Sequence, residues 1–93
     1  MNFTQTNKEK AVAHINEVFD DCEYHKAHWV PVVDHLTPFG IHINKHYSHW
    51  SSAIKGDNPY KRALLLDLLD ETTYWSGITY EEIEKVFNKR YGN

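Results

Sequence analysis

The chain has 93 residues, of which 25% are charged and 41% hydrophobic, and its net charge is −3. Such a chain can bury one small core, is thin for an enzyme with a deep pocket, and has a globular composition, not a disordered one. Its ten Lys and Arg are scattered, which excludes the clustered basic footprint of a duplex reader, and its acidity falls well short of a DNA mimic.

A single cysteine, Cys22, excludes an internal disulfide and a zinc site built mainly from thiolates, and it fits a reducing compartment. The opening MNFTQTNKEK has no apolar signal core, and no run reaches the roughly 18 apolar residues of a membrane span. The expectation is a cytoplasmic protein without a membrane attachment. Seven His and thirteen aromatic residues are unusual in so short a chain.

In chain order, residues 1–5 read as a lead-in. Thr6 and Glu9 have the spacing of a capping box, in which hydroxyl and carboxylate each satisfy a backbone N–H, and they predict a helix over 6–29. Ile15, Val18, Cys22, His25 and Trp29 fall on one stripe with Ala11, Val12 and Phe19 beside them, while His14, Glu17, Asp21, Tyr24 and His28 form a polar face opposite. Pro31 disfavours helical geometry at Val30, and residues 31–36 read as one short helical turn. Thr37 and Pro38 predict a second helix over 38–55, with Ile43, Tyr47, Trp50 and Ile54 inward and Lys55-Gly56 closing it.

The third helix, over 59–75, is PYKRALLLDLLDETTYW, with Asn58 as its cap and Gly77 as its stop. Ala63, Leu64, Leu65, Leu66, Leu68 and Leu69 point around almost the whole circumference, which predicts burial among several neighbours at the centre of a bundle. Its charges oppose the helix dipole: Lys61 and Arg62 sit near the positive N-terminus, and Asp67, Asp70 and Glu71 lie towards the negative end. Thr79 and Glu82 form another capping box, Ile78 can staple to Ile83, and a last helix over 80–91 turns Tyr80, Ile83, Val86, Phe87 and Tyr91 inward. No strand pattern or hairpin turn competes. The sequence predicts a single all-α domain over 1–93, a bundle of four principal helices.

Three constellations bear on function. His42, His46 and His49 lie at i, i+4 and i+7, and Asp21, His25 and His28 repeat that spacing. If the two rows met, they would offer ligands suited to a transition metal such as zinc. Cys22 and His25, one turn apart, have the spacing of a thiolate and its base, although Cys22 also lies in the apolar stripe. Finally, Trp29, Tyr47, Trp50, Tyr60, Tyr74, Trp75 and Tyr91 are more large rings than a short bundle buries completely. Tyr74 and Trp75, with Asp70, Glu71, Lys61 and Arg62 on the same helix, form the expected partner-binding surface.

The segment GITYEEIEKVFNKRYG resembles the first helix of helix-turn-helix domains, but the other helices lack the basic residues of a recognition helix. No nucleophile elbow, phosphate loop or dinucleotide fingerprint occurs. The reading from sequence is a non-enzymatic module that binds and regulates or inhibits another protein, by analogy with small phage- or mobile-element-encoded domains. A homo-oligomer would also explain the all-round leucines. The alternatives are a His-rich metal-binding protein and a small-ligand or nucleotide binder with rings stacked beside Lys61 or Arg62.

Overall fold

Helical periodicity and capping produce four helices in the computed structural model, which describes residues 5–28, 40–55 and 58–92: α1 (Gln5–His28), α2 (Gly40–Ala53), α3 (Asn58–Ser76) and α4 (Tyr80–Tyr91). The described residues contain no strand, so the all-α bundle expected from the sequence is what forms. Boundaries shift slightly. α1 already includes Gln5, which puts Thr6 inside the helix and not at its cap, and α2 ends at Ala53 with a turn through Ile54 and Lys55. The expected turn at 31–36, the Thr37-Pro38 start and Trp29 lie outside the described residues.

Side-chain pairs fix the helix directions. Asn7 Nδ2 donates to Trp75 O at 3.2 Å and His14 meets Glu71, so α1 and α3 run antiparallel. His46 meets Glu71 and His49 meets Asp67, which sets α2 against α3 in the same sense. Lys61 reaches Asn88 at 3.0 Å while Gly77 turns the chain between the helices, so α4 also opposes α3. Helix α3 therefore runs against all three neighbours, the orientation that dipole interactions favour. Helix α1 is equally central, packing on the other three, whereas α2 and α4 approach through the rings of Trp50 and Tyr91, 6.3 Å apart.

The core lies where the stripes predicted it. Ala11, Ile15, Val18, Phe19 and Cys22 of α1 meet Trp50 and Ala53 of α2, Leu64, Leu65 and Leu68 of α3, and Ile83 and Phe87 of α4. Thr72 and Ser76 are buried beside them because each hydroxyl donates back to the carbonyl four residues earlier, at 2.8 and 2.6 Å. One expectation fails: α3 is not covered all round, and Leu66 is 40% exposed. Three neighbours enclose the arc through Leu64, Leu65 and Leu68 and leave the opposite arc to solvent.

At the α3–α4 corner, Gly77 takes a positive φ of 70° and its N–H donates to Thr73 O at 2.8 Å. Ile78 and Ile83 are both buried, consistent with the staple, and the predicted capping box is complete. Thr79 N–H donates to Glu82 Oε1 at 2.9 Å, and Glu82 N–H donates to Thr79 Oγ1 at 3.3 Å. The Thr79 backbone N–H, helped by the Thr79 hydroxyl and Lys8, holds the Glu82 carboxyl below the ordinary carboxylate range.

Two outcomes follow. Leu68→Ala should lower stability by about 2–5 kcal/mol, while Leu66→Ala should change it by less than about 0.5 kcal/mol, as read from urea unfolding. Because Glu82 titrates lower when folded, its contribution is present above the ordinary carboxyl pKa and is lost as pH falls through the folded value. The stability gap between wild type and Glu82→Gln at neutral pH should therefore close on acidification, measured by unfolding across the acid range.

Candidate functional site

Three of the charges that oppose the α3 dipole, Lys61, Asp67 and Glu71, are explained by what they meet across the bundle. Asp67 and Glu71, four residues apart, lie on the same side of α3 and face α2. His46 is wholly buried, and its Nε2 is in close contact with Glu71 Oε2. The other carboxylate oxygen, Oε1, stands 3.3 Å from His14 Nε2 of α1. One carboxylate thus joins three helices. A turn away, Asp67 Oδ1 pairs with Lys45 Nζ at 3.1 Å and Oδ2 lies 3.3 Å from His49 Nε2. His14, placed by periodicity on a solvent-facing side of α1, is instead part of this seam.

The seam does not have the form of an exposed catalytic centre. His46 is enclosed, so solvent and substrate do not reach its ring. The Cys22 thiol is buried, and that desolvation, with Asp21 and Glu23 nearby, pushes its pKa up to about 12. It is a protonated core side chain at neutral pH, which removes the Cys22–His25 pair as a nucleophile and base. Among the described residues, no three His, Cys, Asp or Glu side chains are placed to hold a metal ion. His46 and His49 each face a carboxylate of α3, while the side chains of His28 and His42 lie outside the described residues.

The cations of α3 are similarly placed. Lys61 Nζ donates to Asn88 Oδ1 at 3.0 Å, lies 3.6 Å from Glu84, and sits 5.2 Å over the buried ring of Phe87. Arg62 is exposed, with its guanidinium 5.7 Å over the Tyr80 ring. Both cations thus lie over rings of α4. On the far side, Arg90 was not singled out by the sequence, yet it gathers the acids of α1. Its Nη2 donates to Asp20 at 2.7 Å and closely to Glu23, and its Nη1 donates to Asn16 Oδ1 at 3.2 Å. Desolvation works against the guanidinium charge, but the bonds to Asp20 and Glu23 outweigh it and raise the Arg90 pKa. The acidic face of α1 is therefore partly an anchorage for α4.

Tyr74 and Trp75 part company. Trp75 is half-buried against the core, and its indole N–H donates to Glu71 O at 2.9 Å. Tyr74, about 100° further round the helix, is 74% exposed. Beside it on the outer arc of α3 are the exposed residues Asp70, Leu66 and Arg62. Of the six residues expected to bind a partner, Arg62, Asp70 and Tyr74 share this outer face, while Lys61, Glu71 and Trp75 are engaged inside. A shallow groove of 510 Å³ elsewhere is lined by Glu23, Lys26, Ala27, Trp50, Ile54 and Tyr91. Within it Tyr91 O–H donates to Glu23 at 3.0 Å, and Lys26 Nζ lies 5.5 Å over the Trp50 ring.

No protein-family model matches the chain, and no match is found among curated proteins or solved structures. No helix among the described residues is long and apolar enough to cross a membrane.

Glu71→Ala removes the acceptor between His14 and His46 and should cost about 1–3 kcal/mol, whereas the exposed neighbour Asp70→Ala should stay within about 0.5 kcal/mol of wild type. Urea midpoints of the two variants, measured side by side at neutral pH, check the contrast.

Proposed function

We propose that this protein is a non-enzymatic interaction module that uses the outer face of α3 to bind and regulate a protein partner. The observation that carries the reading is the pairing of Leu66 and Tyr74, 40% and 74% exposed, on one face of a helix whose other sides are packed. A protein surface gains nothing in folding from leaving a leucine and a tyrosine bare along one helix, and large apolar side chains rimmed by charge are the usual anchors of interfaces. Arg62 and Asp70 supply that rim, and Asp70 forms no ion pair among the described residues. The internal pairing of Lys61, Asp67 and Glu71 supports the same division of labour: those charges hold the bundle, while Asp70 and the Arg62 guanidinium, beside the Tyr80 ring, are exposed on the outer face.

A photoreactive residue installed at position 66 should cross-link a discrete protein species in cells expressing the chain, and one at the exposed Lys85 of α4 should not. Tyr74→Ala should reduce the cross-link at 66 without lowering the thermal midpoint. Position 66 cross-linking no better than position 85 would sink the reading.

A further inference from the structure

We infer that the partner of this face is a second copy of the same chain, docked by antiparallel packing of α3 on α3, an inference that rests on the outer face of α3 being the contact surface. A step of four residues rotates an α-helix by about 40° beyond a full turn, so Arg62 and Asp70 flank Leu66 symmetrically, one turn before it and one turn after it. All three are exposed.

A two-fold axis through Leu66 therefore sets Leu66 against Leu66 and brings the Arg62 guanidinium of each copy to the Asp70 carboxylate of the other. The same operation lays Pro59 opposite Thr73, with the exposed Tyr74 ring beside Pro59 of the second copy. These residues are also exposed. A parallel arrangement would instead place Arg62 beside Arg62 and Asp70 beside Asp70, so the charge pattern selects one orientation. Leu66 is close to the middle of the 19-residue helix, which lets nearly its whole length overlap in the antiparallel form. The charge pattern of the face is self-complementary, as an isologous interface requires.

Magnitude sets the character of the complex. One helix face buries less than the roughly 800 Å² per partner of a standard stable interface, so the dimer is weak and concentration-dependent. The two exposed ion pairs fix register and orientation, and Leu66, Tyr74 and Pro59 supply the apolar contact.

Sedimentation equilibrium on the untagged chain from about 10 µM to about 1 mM tests this, with circular dichroism confirming that each variant folds. The wild-type mass should rise from 11.0 kDa towards twice that value. Arg62→Asp alone, or Asp70→Arg alone, sets like charges opposite each other twice and should weaken association by about tenfold or more. An equimolar mixture of the two variants restores both opposite-charge pairs and should recover association, as should the double swap in one chain. A wild type that stays at 11.0 kDa throughout overturns the inference, as does a dimer indifferent to either swap or not rescued by mixing. A monomer whose position 66 cross-links a different protein overturns the self-association alone; no cross-link at 66 overturns the contact face as well.

Discussion

The carboxylate of Glu71 is the point on which the helix arrangement depends. It lies between His46 of α2 and His14 of α1, so a single side chain of α3 sets the register of two neighbours at once. Hydrophobic contact between leucine-rich stripes has little preference for one sliding position over another. A buried polar contact has a strong one, because a shift of one residue leaves an imidazole or carboxylate in the interior without its partner. Asp67 with Lys45 and His49 repeats the constraint a turn away, and Lys61 with Asn88 and Glu84 does so towards α4. Polar contacts of this kind add modest net stability; what they supply is a definite choice among packings of similar apolar burial.

That constraint also explains why α3 tolerates charges its own dipole disfavours. A carboxylate near a helix C-terminus costs a few tenths of a kcal/mol up to about 1 kcal/mol when exposed. Leaving His46 enclosed with no acceptor opposite costs more, about 1–3 kcal/mol. The tertiary interaction wins, and the local rule is broken where the bundle needs it broken. Asp70, which forms no ion pair among the described residues, and Arg62, whose guanidinium lies over the Tyr80 ring, are on the solvent side of α3, away from this seam.

How much was legible in the sequence follows from how local each feature is. The Thr79–Glu82 capping box, the Ile78–Ile83 staple and the inward stripes of α1 and α4 depend on residues a few positions apart, and all were readable before the fold was known. The partners of Glu71 lie 25 and 57 residues away in the chain, a distance that periodicity does not span. Only the adverse sign of the α3 charges hinted at them. Six apolar side chains distributed around α3 likewise could not reveal which would face water. Leu66 is left out because α1, α2 and α4 together cover one arc of the helix, a fact of packing and not of composition. Tyr74 and Trp75 read as one patch because they are adjacent in sequence, but a turn of about 100° per residue separates adjacent side chains, sending one outward and the other against the core.

The inner seam and the outer face are two sides of one rod, and this bears on how the face can act. Binding through a loop pays for ordering the loop at the moment of contact, whereas binding through a helix already fixed on three sides pays for little beyond a few side-chain rotamers. Helix α3 is held to α1 and α2 through Glu71, to α2 again through Asp67, and to α4 through Lys61, so Arg62, Leu66, Asp70 and Tyr74 are presented at fixed spacing before any partner arrives. A narrow contact gains most from such preorganisation because it has little buried area from which to offset an ordering cost. In the proposed dimer the same rigidity gives the charge pattern its discriminating power: Arg62 and Asp70, held one turn either side of Leu66, meet opposite charges of an antiparallel second copy and like charges of a parallel one.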